Sequence, residues 1–478
     1  MSFEFDSETR RRLGYQLIDQ IDAFFSSLPR RPVQLPADQR TYGFLDGELP
    51  ESGSDPGQVL ADACRDLVDN GFHVPSAHYF GLMNPTPTYM GVLGEALAAA
   101  LNPQLATLAR SQLASKIELQ TIQWIGSRIG WTRPFYGTFT SGGNEANFSG
   151  MALALAAKFP GAVEDGVACI GGQPVAYASQ ESHHSLDKSA GLLGIGRKAL
   201  RRVSVNRHLQ VDVQELERQI CADLASGRKP FCVIATAGTT NSGIVDDIRA
   251  LAGICLKYNL WLHVDGAYGA SVVFSDRHRH RVDGIDLADS ITIDPHKWLA
   301  MPFAAGVILT THAGVMEKAF SVAAPYMPKA GAAMLPDNAR VSTQWTRRMN
   351  SLKLWLTLRV HGRAAYEELI DSQLRLAASF AEWVRNSQHY ELVVEPMLPI
   401  VTFRRKNGAS HAGLANLHAA IVEEITRDGR MWVSDTLVNG ESALRMMVIS
   451  YLTGAGHLQE LEDRLSSAAA RQPTINPL

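Results

Sequence analysis

The 478-residue chain is 46% hydrophobic and 19% charged. That composition excludes a disordered, collagen-like or coiled-coil protein and provides for two or three domains with a large core. Its 45 Lys and Arg against 48 Asp and Glu leave a formal net charge of −3, so neither nucleic acid nor an anionic membrane surface is an expected partner.

The first residues carry Glu4, Asp6 and Glu8 with no apolar run among them, unlike a secretory signal, and nowhere do the roughly 18 apolar residues of a membrane span occur together. Leu13, Leu17, Ile18, Ile21, Phe25 and Leu28 recur at three- and four-residue spacing. They predict an amphipathic helix whose stripe is covered by the body of the protein or by a second subunit. Pro29, Pro32 and Pro36 end it. From about residue 90 to 320, strand-like runs at 137–140, 175–179, 231–237, 260–264, 290–293 and 305–310 alternate with helical patterns such as 211–224 and 246–258. This alternation predicts an α/β fold with a mainly parallel sheet covered on both faces.

Residues 321–345, interrupted by Pro325, Pro328 and Pro336, read as a lid or a linker. Beyond Leu352 come a helical run, strands at 391–394 and 400–403, a helix at 415–426 and a strand at 444–449, a small α+β domain. The expected divisions are an N-terminal helical arm over 1–88, a large domain over 89–350 and a small one over 351–478. Five cysteines, Cys64, Cys169, Cys221, Cys232 and Cys255, are odd in number and lack CxxC spacing. They argue against a disulfide framework or a zinc knuckle and point to a reducing, cytoplasmic compartment.

The strand at 290–293 runs into Asp294-Pro295-His296-Lys297-Trp298. A lysine at the end of a buried strand is a candidate for Schiff-base chemistry, because desolvation disfavours its ammonium form. Asp265 closes another strand at the carboxyl edge, where open α/β sheets bind ligands; it either pairs with a protonated ring nitrogen or caps the next element. Ser141-Gly142-Gly143-Asn144-Glu145-Ala146-Asn147, between a strand and a helix, either brings backbone N–H groups to a phosphate or binds nothing. His183, opening the next helix, either stacks on a flat cofactor or belongs to a capping cluster. Two segments are discounted. Gly194-Ile195-Gly196 follows a helix and precedes a strand, the reverse of a dinucleotide fingerprint, and the arginines of Arg277-His278-Arg279-His280-Arg281 would repel a metal, leaving a solvated loop.

In their order and spacing, SGGNEAN, HxSLDK, TAGTT, HVDGAY and PHKW resemble the group II pyridoxal-phosphate decarboxylases, the family of the aromatic-amino-acid and glutamate decarboxylases. Asp294 stands where the family motif has Asn. The resemblance implies a fold of the aspartate-aminotransferase type (fold type I) and a homodimer with active sites at the interface. It also implies pyridoxal 5′-phosphate as cofactor and decarboxylation of an L-amino acid to an amine. Lys297 would carry the cofactor as a Schiff base, Asp265 would keep its ring nitrogen protonated, and His183 and Ala267 would pack on its two faces. Ser141, Gly142, Gly143 and His296 would surround its phosphate, and Thr236 would support Asp265.

Two departures bear on chemistry and specificity. The family's loop tyrosine, which protonates the carbanion, has Ser342 or its neighbours in its place, with Tyr326 as a substitute. Loss of that tyrosine would redirect the reaction to oxidative deamination and an aldehyde. The substrate wall reads Leu82-Met83-Asn84-Pro85-Thr86, less aromatic than in the aromatic decarboxylases, with Arg445 either meeting a substrate carboxylate or held in a structural salt bridge. A family member retained only as a binding or assembly protein is the remaining alternative, and intact Lys297, Asp265 and His183 count against it.

Overall fold

A seven-stranded sheet forms the centre of the computed structural model, which describes residues 3–42, 45–322, 337–406 and 411–471. Its strands are β1 (Tyr136–Thr140), β2 (Pro174–Ser179), β3 (Leu200–Val203), β4 (Lys229–Thr236), β5 (Trp261–Asp265), β6 (Ser290–Ile293) and β7 (Gly306–Thr310), in the spatial order β1-β7-β6-β5-β4-β2-β3. The pairs from β3 through β6 are parallel, and β7 runs antiparallel to both β1 and β6. Parallel neighbours require a crossover whereas an antiparallel neighbour can follow a tight return, so residues 294–305 turn back directly after β6. All six strands expected in this region are present. The seventh, β3, was not expected: it is a four-residue edge strand carrying Arg201 and Arg202, short and charged as exposed edges are.

The helices are α1 (Ser7–Ser27), α2 (Pro56–Asn70), α3 (Tyr89–Leu101), α4 (Gln112–Ile129), α5 (Gly143–Lys158), α6 (Ala162–Asp165), α7 (Ser185–Leu192), α8 (Val213–Ala225), α9 (Ile248–Tyr258), α10 (Ala313–Phe320), α11 (Ser351–Asn386), α12 (His411–Thr426) and α13 (Ala455–Arg471). Helix α5 crosses β4 to β7, while α8 and α9 pack on β4 and β5. The long α11 leaves helical geometry at Gly362, where φ is 71°, a conformation open to glycine at little cost. Past that kink it reaches a second, antiparallel sheet, β10-β11-β9-β8, formed by β8 (Tyr390–Leu392), β9 (Ile400–Arg405), β10 (Ser434–Val438) and β11 (Glu441–Met447). Phe380, Phe403, Ile421, Met446 and Leu461 fill its core together with Phe80 from the N-terminal segment. No helix among the described residues is long and apolar enough to cross a membrane.

A buried ion pair locks α4 to the strand that leads into the SGGNEAN turn. Arg347 and Glu118 are each 1% exposed; the guanidinium donates to Glu118 Oε1 at 2.6 Å and to the Phe139 carbonyl at 2.7 Å. Removing one member strands the other charge without water. Arg347→Met is expected to lower unfolding stability by about 3 kcal/mol, read from the urea midpoint, and pairing it with Glu118→Leu should recover much of the loss.

Candidate active site

Side chains alternate faces along a strand, so Trp261, His263 and Asp265 of β5 share one face, which meets α5. The approach is close: a Cβ on Gly150 would come 2.3 Å from His263 Cε1, which is why a glycine sits in mid-helix there. One turn into α5, Asn147 lies four residues beyond Gly143, on the same side. A hydrogen-bonded chain joins these groups. Trp261 Nε1–H donates to Ser290 Oγ at 2.8 Å, and Ser290 Oγ lies 2.8 Å from His263 Nδ1. His263 Nε2 is 3.1 Å from Asn147 Oδ1, and Asn147 Nδ2 donates to Asp265 Oδ2 at 2.8 Å.

An indole nitrogen can only donate, and the Asn147 amide nitrogen can only donate as well, so the direction of every bond is set. Ser290 gives its hydrogen to Nδ1, and His263 carries its own on Nε2. Complete burial pulls the His263 pKa down to about 4, so this neutral form persists. Asp265 Oδ1 accepts the Ala267 N–H at 3.2 Å, leaving the carboxylate bonded on both oxygens and only 5% exposed.

Asp265 closes one end of a cavity of about 230 Å³ at the carboxyl ends of β4, β5 and β6, which Met83, Gly143, His183, Thr236 and Lys297 also line. This is the position expected for a ligand in an open α/β sheet. Lys297 follows β6, its Nζ 3.3 Å from Asp294 Oδ2. His183 stands on the rim with its Nδ1 accepting the Ser185 N–H at 3.2 Å. Desolvation, opposed by the nearby Asp265 carboxylate, holds its pKa below the ordinary value. At the opposite end the Gly142-Gly143 turn opens α5. A Cβ on Gly142 would lie 3.0 Å from His296 Cε1, and one on Gly143 would lie 2.7 Å from Asp294 Oδ2. His296 Nδ1 accepts the Ala305 N–H at 2.9 Å, so its hydrogen is on Nε2, and burial with the nearby Lys297 pulls its pKa down to about 3.

Lys297, Asp265, His183, Thr236, Ala267, Gly143 and Met83 therefore converge, with Gly142 and His296 directly behind Gly143. The backbone N–H of Ser141 is taken by Glu145 Oε2 at 2.7 Å. Glu145 also accepts from Thr343 and Gln344, tying residues 343–344 to the turn. Asn84, Pro85 and Thr86 do not line the cavity; the Thr86 hydroxyl is engaged by the Pro75 carbonyl and Ser450. Arg445 is buried on β11 and donates to the Thr240 carbonyl at 2.8 Å and to Ser434 Oγ at 3.1 Å. Among the described residues no carboxylate lies within salt-bridge distance of it, so the salt-bridge reading is corrected: Arg445 backs the cavity through Thr240. Tyr326 lies outside the described residues. Ser342 is buried, its hydroxyl bonded to the Asn338 and Gln344 carbonyls.

The 277–281 segment is less solvated than expected. His278 pairs with Asp371 of α11, and Arg281 donates to the Met397 carbonyl. Sequence reasoning missed Asn147, His263 and Ser290, although the i, i+4 spacing from Gly143 and the i, i−2 spacing from Asp265 would have found the first two.

The residues fit pyridoxal phosphate. His183 and Ala267 line the cavity together with the Asp265 carboxylate and the Gly143 backbone, a set able to hold a flat ring with a basic nitrogen and a phosphate. The Thr236 hydroxyl is buried and without a partner, and it lines the same space.

Comparison with known proteins agrees. Residues 36–406 match the family model described as the pyridoxal-dependent decarboxylase conserved domain. An aromatic-L-amino-acid decarboxylase of Bacillus atrophaeus is 31% identical, covering 98% of this chain and 97% of its own. A cysteine sulfinic acid decarboxylase of Homo sapiens is 29% identical, covering 81% of each. The crystal structure of Oryza sativa TDC with PLP and tryptamine shares the fold at a TM-score of 0.91 and 24% identity, over 98% of this chain and 99% of that one.

Neutral His263 links this site to pH. In the unfolded chain it protonates near 6.5, so its contribution is fully present above that pH and is lost as pH falls toward 4. By about pH 5 the loss is roughly 2 kcal/mol. His263→Gln should remove that increment from the difference between urea midpoints at pH 7 and pH 5, even while it lowers stability at both.

Proposed function

Because the chain belongs to the pyridoxal-dependent decarboxylase family, we propose that Lys297, Asp265 and His183 carry the reaction of this pyridoxal-phosphate-dependent amino-acid decarboxylase. The observation behind the assignment is their convergence on one cavity at the carboxyl edge of the sheet. Bound pyridoxal phosphate supplies a conjugated ring that accepts the electron pair left when the substrate's α-carboxyl group departs.

The chain's own groups select and support that event. The Lys297 amine would anchor the cofactor and, when free, would hold a proton at Nζ within the cavity. Asp265, kept anionic by Asn147 and the Ala267 N–H, favours a proton on the ring nitrogen facing it. His183 and Ala267 would hold the cofactor ring between them, so that the substrate would be oriented by packing rather than by conformational search. Gly142, Gly143 and the Nε2–H of neutral His296 receive the phosphate.

For the substrate, the apolar Met83 and the absence of any arginine among the described lining residues favour an L-amino acid with an uncharged side chain over an acidic one. A homodimer is supported by α1, which has no buried residue and exposes Tyr15, Leu17 and Ile18. A cytoplasmic setting is supported by five free thiols.

Incubating the purified protein and cofactor in air with a pool of L-amino acids should yield, by mass spectrometry, an amine lighter than one uncharged substrate by CO₂. An aldehyde with ammonia and peroxide would instead assign oxidative deamination. Lys297→Ala should lose the visible absorbance of the lysine-bound cofactor and at least ~10³-fold of turnover; retention of that absorbance would remove Lys297 from its role.

A further inference from the structure

Asp294 is the one titratable member of the Asp-Pro-His-Lys turn that the scheme above leaves unused, and its surroundings are unusual for a carboxylate. It is 1% exposed and lines the cavity. Its Oδ1 has no hydrogen-bond partner, and its Oδ2 sits where a Cβ on Gly143 would come to 2.7 Å. The carboxyl group is thus pressed against the first residue of α5, where backbone N–H groups and the helix dipole attract an anion. From that reading of the α5 N-terminus as the phosphate end of the site, we propose that Asp294 is a positioning residue that holds a proton whenever the cofactor is bound and donates it through a carboxyl O–H to a phosphate oxygen.

Burial favours the neutral form of Asp294, and the main charge opposing it is Lys297. Among the described residues the one cation in contact is Lys297 Nζ, 3.3 Å from Oδ2, and this is the amine the cofactor claims. His296 Nε2 lies 3.5 Å away, but its ring is neutral because Nδ1 accepts the Ala305 N–H. Lys353, beyond His296, is bonded to Glu95 and to two backbone carbonyls. Asp265 faces the same cavity as a second carboxylate. Burial, opposed by Lys297 and by the Gly143 N–H and aided by Asp265, already pushes the Asp294 pKa up to about 6. A phosphate dianion at the α5 turn raises it further, because like charges so placed cannot all ionise. Protonation turns the orphaned carboxyl oxygen into a donor, which an anion at that place requires, and the proton comes from solvent on binding.

The consequence is a cofactor affinity that falls as pH rises through the Asp294 titration. The affinity test uses cofactor-free protein carrying Lys297→Ala, which lacks the opposing ammonium as the cofactor-linked enzyme does, with Asp294 intact (wild type at that position) or replaced, and 4-deoxypyridoxine 5′-phosphate, in which a methyl group replaces the aldehyde. Affinities for wild type and Asp294→Asn are measured by calorimetry from about pH 6 to about pH 8.5, and their ratio cancels the titration of the probe's own ring and phosphate. Near pH 6 the two should agree within about threefold; by pH 8 wild type should bind at least about tenfold more weakly than the variant. Wild type should also take up close to one proton more per probe bound, seen by repeating the titration in buffers of different ionisation heat.

A ratio flat across this range, with equal proton uptake, would overturn the proposal. Asp294→Ser, also uncharged, carries the same comparison should the Asn variant not fold. The visible absorbance of the cofactor-loaded enzyme with Lys297 in place separates the two levels of the argument. A coloured enzyme with a flat ratio refutes the role of Asp294 alone, whereas a colourless enzyme refutes the site as well.

Discussion

One anionic carboxylate held out of water governs the architecture of this site. An isolated buried charge is costly unless it is hydrogen-bonded, and Asp265 is supported from two sides, by the Ala267 N–H and by the Asn147 amide. Asn147 in turn is oriented by His263, His263 by Ser290, and Ser290 by Trp261. The terminal donor is an indole, which has no acceptor form, so no member of the chain can turn over without leaving a buried group unsatisfied. That requirement reaches into the packing of α5, which must lie close enough to β5 for Asn147 to bridge, and Gly150 admits the His263 ring. A larger residue there would open the gap and uncouple helix from strand.

The other half of the site depends on the reversal after β6. Because β7 returns antiparallel, Asp294, His296 and Lys297 fall in one short turn instead of being spread over a crossover. Its far side is fixed by the Lys353 ammonium, 1% exposed, which bonds Glu95 of α3 and the carbonyls of Pro302 and Ala304. The next residue, Ala305, supplies the N–H that sets the His296 tautomer. A lysine buried with three acceptors satisfied is a rigid post, and here it couples the N-terminal segment, the lysine-bearing turn and the start of α11.

Much of this was legible in the sequence because the residues carrying it are local. Strand 290–293 runs straight into Lys297, 260–264 into Asp265 and 137–140 into Gly142, so motif and element were readable together. What was not legible depends on contacts between distant segments. Period-two alternation puts His263 on the face of Asp265, but only the packing of α5 makes it a hydrogen-bond donor to Asn147. Thr86 and Arg445 carried suitable chemistry in suitable neighbourhoods, yet the Pro75 carbonyl, Ser450, Ser434 and the Thr240 carbonyl already hold them. Spacing does not reveal which polar groups are taken by backbone partners. Edge strand β3 escaped for a different reason: Arg201 and Arg202 erase the apolar run on which strand recognition relies.

The two aspartates of the cavity show how far environment, rather than residue type, decides chemistry. Asp265 accepts on both oxygens from neutral donors that no ligand removes, so its charge is built into the fold. Asp294 leans on Lys297, whose amine the proposed reaction would occupy, and it leaves one oxygen without a partner. Groups of one kind placed in such unequal settings can be assigned separate tasks. At the β5 end a fixed negative charge would favour a proton on a cofactor ring, while at the α5 end, were a phosphate dianion received there, a second fixed negative charge would oppose it. The asymmetry between the ends therefore follows from which neighbours are permanent and which are borrowed.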